Sequence, residues 1–248
     1  MSAIRVSVIG AAGRMGSTVC RAVDEADGLE LVGRYDAGDD LGDLGGADVV
    51  VEFSVPDASP ANVAHCVGRG VHVVVGTTGW SQDRLDTLRA QLEDAPSVGV
   101  LIAPNFAIGA VLMMAFAEKA ARFYESVEVV ELHHPDKVDA PSGTAARTAD
   151  LIGAARTDAG LGDVPDATTH DPDGARGARV SGVPVHSVRL RGLVAHQEVL
   201  LGGAGELLTI RHDSFDRVSF MPGVITAVRE VGSHPGLTVG LEHYLGLA

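Results

Sequence analysis

Val6-Ser7-Val8-Ile9-Gly10-Ala11-Ala12-Gly13-Arg14-Met15-Gly16 is the stretch that decides the fold. Ile4 to Ile9 reads as a strand that stops at Gly10, and a helical pattern runs from Arg14 to about Ala26. Between them lies GxxGxxG, a variant of the dinucleotide fingerprint GxGxxG. Glycines let the backbone approach a pyrophosphate, and a helix start supplies N–H donors and the positive end of a dipole. Asp36 stands 20 residues beyond Gly16, at the end of the second strand pattern. An acid there can bind the ribose hydroxyls of an adenosine.

Outward from this turn, strand and helix signals alternate. Strand patterns cover Leu29 to Tyr35, Asp48 to Phe53, Val71 to Val75 and Val98 to Ile102. Helical patterns cover Asp57 to Arg69 and the run from Ser81 to about Leu92. Alternation of this kind implies βαβ units and a parallel sheet. Ligands of such sheets bind beyond the carboxyl ends of the strands. Gly76-Thr77-Thr78, after the fourth strand, and Ala103-Pro104-Asn105-Phe106, after the fifth, are therefore candidate cofactor loops. The character changes near Asn105. A long helix is expected over Ala107 to Phe123, a strand over Ser126 to Leu132 and a helix over Thr144 to Arg156. Asp158 to Ala178, rich in Gly, Pro and Asp, reads as a long loop. Val185 to Leu190, His196 to Leu201 and Glu206 to His212 then follow as strands, the last two joined by a hairpin at Gly202, Gly203 and Gly205. Strands without intervening helices imply a mixed or antiparallel sheet and a second domain. Phe215 to Val231 reads as a last helix, kinked or begun at Pro222. The expected fold class is α/β: a Rossmann-like parallel-sheet domain over 1–106 and 216–248, and an α+β mixed-sheet domain over 107–215.

Bulk properties narrow the function. The 248 residues are 46% hydrophobic and 21% charged, the balance of a folded soluble chain. A net charge of -14 opposes contact with nucleic-acid phosphates. The most apolar helical run, Ala107 to Ala117, is too short to span a bilayer. Cys20 and Cys66 fall in helical patterns and suit buried thiols of a reducing compartment. No His, Cys, Asp or Glu set has metal spacing. The expectation is a cytoplasmic protein with no metal, no membrane and no nucleic-acid partner.

The chemistry concentrates in Glu131-Leu132-His133-His134-Pro135-Asp136-Lys137-Val138-Asp139-Ala140-Pro141-Ser142-Gly143-Thr144. Paired histidines and a lysine precede a helix start, so proton donors adjoin an anion-binding site. Seventeen of the 19 basic side chains are arginines; the lysines are Lys119 and Lys137 alone. Lysine can release its proton when its surroundings lower its pKa, and arginine cannot. His133 and Lys137 are thus candidate proton donors, and Gly143 and Thr144 open a helix whose N–H groups suit a carboxylate.

The segment from Glu131 to Thr144, the Gly10 to Gly16 turn, Gly76-Thr77-Thr78 and Ala103 to Phe106 together resemble the 4-hydroxy-tetrahydrodipicolinate (dihydrodipicolinate) reductase family of bacterial lysine biosynthesis. The resemblance runs over essentially the whole chain. It implies an NADH- or NADPH-dependent reduction of a cyclic dicarboxylate, in a homotetramer built through the second domain. It implies His133 as catalytic acid/base and Lys137 as proton donor, with His134, Gly143 and Thr144 on the substrate. It implies Gly10, Ala11, Ala12, Gly13, Arg14, Met15, Asp36, Gly76, Thr77, Thr78, Ala103, Pro104, Asn105 and Phe106 as the cofactor site. Many members carry basic residues where this chain has Pro135 and Asp136, which leaves fewer cations for a dianionic substrate.

Other nucleotide-dependent readings fare worse. None of Tyr35, Tyr124 and Tyr244 has lysine four residues on, and Glu118-Lys119 is followed by Ala120 rather than proline. A non-enzymatic nucleotide sensor would need a cofactor site but no proton donors.

Overall fold

The computed structural model describes residues 2–247. In chain order the elements are β1 (Ile4–Ile9), α1 (Arg14–Glu25), β2 (Leu29–Tyr35), β3 (Val49–Glu52), α2 (Ser59–Gly68), β4 (His72–Val75), α3 (Gln82–Glu93), β5 (Gly99–Ile102) and α4 (Ile108–Ala121). There follow β6 (Ser126–His133), α5 (Gly143–Asp158), β7 (Ala178–Val180), β8 (Val183–Arg189), β9 (Ala195–Gly203), β10 (Glu206–Ser214), α6 (Met221–Glu230) and β11 (Gly236–Val239). The chain divides into two compact units, Met1–Ile108 with Arg217–Ala248, and Gly109–Asp216.

The first unit holds a six-stranded parallel sheet in the order β11-β5-β4-β3-β1-β2. Val49, Val50, Val51, Val73, Val74, Val75, Val100 and Leu101 are almost wholly buried. Such continuous apolar runs are what a parallel sheet covered on both faces requires. Each buried Val or Leu side chain contributes about 1.5–3 kcal/mol. The strand order reverses between β1 and β3, so β1 ends at the crevice where doubly wound sheets bind ligands. The C-terminal segment rejoins this unit: β11 pairs with β5, and Arg229 on α6 donates to the Asp27 carbonyl at 3.0 Å.

The second unit holds a mixed five-stranded sheet in the order β10-β9-β6-β8-β7. β6 runs parallel to β8 and antiparallel to β9. Val127, Val129, Val183, Val185, Val199 and Leu201 share a core with Ala145, Ala149 and Ile152 of α5. The β9–β10 hairpin turns where Gly203 faces Glu206, and Gly205 adopts φ 82°.

Of the two alternatives at Pro222, the structure takes the helix start: a 3-10 turn over Arg217–Phe220 precedes α6, and Pro222 sits in the first turn of α6. There its missing N–H costs nothing. β7 and β11 are additional short strands. Both cysteines are free and buried, and burial pushes the Cys66 thiol up to about 12. Among the described residues, no helix is long and apolar enough to cross a membrane.

Candidate active site

In the first unit the predicted cofactor residues gather at the carboxyl ends of β1, β2, β4 and β5. Backbone hydrogen bonds continue past the strands and hold these loops together: Gly10 and Ala11 N–H donate to Tyr35 O, Phe53 to Ile9 O, Gly76 to Glu52 O and Ala103 to Val75 O. Gly10 has φ 82°, and a Cβ there would lie 2.4 Å from Phe53 O. A Cβ at Gly16 would lie 1.9 Å from Gly10 O, so α1 can start this close to β1 only with glycine. Gly13 is the N-cap of α1, with no side chain capping it, so Arg14 and Met15 open the helix with their N–H groups uncapped by any side chain. Asp36 accepts from the Ala12 N–H through both carboxylate oxygens, at 3.0 and 2.9 Å. Asp36 is thereby tied to the glycine turn between β1 and α1.

Thr77 is buried and its hydroxyl has no hydrogen-bond partner, whereas Thr78 is exposed. Ala103 and Phe106 are buried and Pro104 is exposed. Asn105 Oδ1 accepts from Ala107 N–H at 2.8 Å, which shapes that loop. Phe106 packs on Phe53, centroids 5.7 Å apart. Phe53 is absent from the sequence-based set; its place after β3, at the strand reversal, was the available clue. The residues present fit a dinucleotide: an uncapped helix start, a glycine turn with no room for side chains, a placed acid and an orphaned buried hydroxyl. Arg34, a candidate for offsetting the Asp36 charge, is paired instead with Asp24 at 2.9 Å.

In the second unit His133 ends β6 and Ser142 caps α5, its hydroxyl accepting from Ala145 N–H at 3.2 Å. The loop between them carries His134 and Lys137, whose backbone N–H donates to His134 O. Lys137 Nζ donates to Asp139 Oδ1 at 2.7 Å. Burial opposes the Asp139 charge, but the hydrogen bond and charge of Lys137 together with backbone N–H donors outweigh it and hold the carboxyl below its usual range. His134 and Thr144 are half-buried and Gly143 is exposed at the head of α5.

Beneath this loop lies Glu131, fully buried. It accepts from both terminal nitrogens of Arg189 at 2.8 and 2.7 Å, from Ser142 N–H at 3.1 Å and from His133 Nδ1 at 2.5 Å. Burial would raise its pKa, yet the bonds from Arg189, Ser187 and His133 prevail and lower it. Burial lowers the pKa of His133, aided by Lys137 and Arg189, against the upward pull of Glu131. At neutral pH the pair is therefore carboxylate and neutral imidazole. Arg189 also donates to Asp139 O at 2.6 Å, so it grips the far end of the loop. Sequence reading assigned no role to Glu131 or Arg189. The strand period of two places Glu131 on the face of His133, whereas Arg189 arrives through β8 and its register with His133. Among the described residues, no group of three or more His, Cys, Asp or Glu is placed to hold a metal ion.

A Rossmann-type nucleotide-binding unit joined in one chain to a mixed-sheet unit that carries His133, His134 and Lys137 ahead of a helix start defines a two-unit oxidoreductase. The chain belongs to the dihydrodipicolinate reductase family of lysine and diaminopimelate biosynthesis: the family's N-terminal description matches residues 4–106 and its C-terminal description residues 109–245. A 4-hydroxy-tetrahydrodipicolinate reductase of Cutibacterium acnes is 64% identical over 244 residues, covering 98% of this chain and 99% of that protein. One of Streptomyces griseus is 63% identical over 249 residues, covering 100% of both. A solved dipicolinate-bound dihydrodipicolinate reductase from Paenisporosarcina superposes with a TM-score of 0.85 at 36% identity, over 97% of this chain and 99% of that one.

Proposed function

We propose that this chain reduces 4-hydroxy-tetrahydrodipicolinate to tetrahydrodipicolinate with either NADH or NADPH: the ring hydroxyl leaves as water, a hydride adds to the carbon that carried it, and the proton is delivered by His133 and Lys137. The observation that carries the reading is the Glu131–Thr144 segment, where a neutral imidazole, a lysine and the head of α5 follow one another. The nicotinamide, when bound, supplies a hydride. Gly10 to Met15 would hold its pyrophosphate, Asp36 the adenosine ribose, and Gly76 to Thr78 with Ala103 to Phe106 the nicotinamide side. Gly143 and Thr144 would hold one substrate carboxylate by backbone N–H and hydroxyl, with His134 beside it. Lys137 adds positive charge at the same place. That one solved relative holds dipicolinate supports a planar dicarboxylate as ligand. Purified protein mixed with fresh synthase product should oxidise the cofactor only when the dicarboxylate is present. Cofactor binding without oxidation would point to a nucleotide sensor instead.

Dual cofactor use follows from a balance. Asp36 favours the free ribose hydroxyls of NADH and repels a 2′-phosphate. Arg14 at the head of α1 offsets that repulsion, while Arg34 contributes only by leaving Asp24. The kcat/KM values for NADH and NADPH are expected to lie within about a thousandfold, near 4 kcal/mol. A larger ratio, measured side by side, would rule the balance out.

We also infer a homotetramer assembled through the second unit, and a cytoplasmic location suited to free thiols. In that unit β10 is a sheet edge, and Leu190, Leu207 and Phe215 are 58, 65 and 77% exposed. Open edges and exposed apolar side chains need covering. Light scattering at micromolar concentration is expected to report four chains per particle; a monomer would refute the assembly.

A further inference from the structure

We propose that Glu131 is a positioning residue for proton delivery: its one carboxylate fixes the tautomer of His133 and the start of α5 together. The inference rests on the reading of His133 as acid/base and extends it to a residue that does not itself reach the substrate.

Each oxygen of Glu131 has a defined job. Oε2 receives His133 Nδ1 at 2.5 Å and Arg189 Nη1 at 2.8 Å. Oε1 receives Arg189 Nη2 at 2.7 Å and Ser142 N–H at 3.1 Å. An ionised carboxylate only accepts hydrogen bonds. The neutral His133 ring must therefore carry its proton on Nδ1, which leaves the Nε2 lone pair as its only exchangeable site. A proton taken up at Nε2 from water makes an imidazolium whose charge Glu131 stabilises, and its delivery to the substrate regenerates the same tautomer. The ring is thus ready for the next turnover without rotating. Through Ser142 N–H, the same carboxylate sets where Gly143 and Thr144 begin α5. Donor and carboxylate site are thereby held to one reference point.

Arg189 has the complementary task. A fully buried carboxylate without a cation would take up a proton and become a donor, which would reverse the His133 tautomer. The bidentate guanidinium keeps it ionised. The charged groups facing His133 are Glu131 from β6, Arg189 from β8 and Lys137 from the loop. Glu131 alone among them favours the imidazolium.

The test is Glu131→Gln, alone and combined with His133→Gln, in the full-length enzyme with NADH and the dicarboxylate substrate. An amide can donate to Nδ1 and force the wrong tautomer. In the Ser-His-Asp proteases the equivalent acid-to-amide change lowers kcat by about 10⁴ with geometry intact. A drop of at least roughly 10²-fold in kcat is expected here. KM should move less, and the limb of the pH profile that reports His133 protonation should shift to lower pH. Added to His133→Gln, the Glu131 change should lower kcat by no more than about twofold, because its effect on proton delivery runs through a ring already removed and the amide oxygen still accepts from Ser142 N–H. If His133→Gln is inactive but Glu131→Gln keeps wild-type kcat and pH profile, this proposal is overturned and the acid/base reading stands. If His133→Gln itself retains full kcat, the acid/base reading fails first. Should Glu131→Gln not fold, the wild-type tautomer decides. Nitrogen-15 NMR of histidine-labelled enzyme, with His133→Gln for assignment, should show Nδ1 protonated and Nε2 bare at neutral pH. Protonated Nε2 would overturn the proposal.

Discussion

Lys137→Arg is expected to lower kcat by roughly 10²–10⁴-fold, the usual cost of losing a positioned proton donor, without unfolding the chain. Composition motivates the claim. In a chain with seventeen arginines and two lysines, a position needing only positive charge would read arginine. The structure adds that Lys137 rests on Asp139, itself 48% exposed, so the pair contributes at most about 1 kcal/mol to stability. Arginine can keep that pairing, which is why the fold survives. It cannot give up its proton, and its planar head is bulkier than an ammonium. KM should change less than kcat because the charge remains. His133→Gln should show a comparable fall, and the double mutant little more, if the two residues act as one delivery unit. Steady-state kinetics on the folded variant decide: retention of more than half of wild-type kcat would reduce Lys137 to an electrostatic anchor.

Gly10→Ala is expected to disable the first unit as a cofactor site and to destabilise it. Holding a non-glycine residue at φ 82° costs about 1–2 kcal/mol. The new methyl would also lie 2.4 Å from Phe53 O, a backbone atom that cannot swing aside. Crowding of that sort adds about 1–3 kcal/mol. For a protein of this size the combined loss lowers the thermal midpoint by about 5–15 °C. Relief by displacing the Phe53 backbone would disturb the Phe53–Phe106 contact and, through the Gly76 N–H to Glu52 O bond, the Gly76 loop. Cofactor affinity, read by quenching of intrinsic fluorescence, should therefore fall together with stability. A variant with unchanged midpoint and affinity would show that the turn has slack the geometry denies.

Much of this architecture was legible because local and global signals agree. Val49-Val50-Val51 and Val73-Val74-Val75 can only be buried strands, and Gly10 and Gly16 fall where a strand must hand over to a helix in close contact. Ser81 and Ser142 mark helix starts that the structure caps through their hydroxyls. What escaped notice depends on partners distant in sequence. β7 is three residues long and defined only by pairing with β8. β11 is four residues that become a strand because β5 offers an open edge. The same holds at the site. His133 and Lys137 announce themselves by residue type, but the ionised Glu131 beneath them depends on Arg189, 58 residues away and visible only through strand register. The pairing of Arg34 with Asp24, ten residues earlier, likewise depends on the fold that brings β2 beside α1.

The central claim is that this chain transfers a hydride to the ring of a dicarboxylate, and isotope transfer tests it most directly. The enzyme is supplied with fresh 4-hydroxy-tetrahydrodipicolinate and NADH deuterated at C4 on the transferred face, and the product is examined by mass spectrometry and NMR. The account predicts one deuteron per tetrahydrodipicolinate, on the ring carbon that carried the hydroxyl, with cofactor oxidation matching product one to one. Product without the label, or cofactor oxidised at the same rate when the dicarboxylate is omitted, would contradict it.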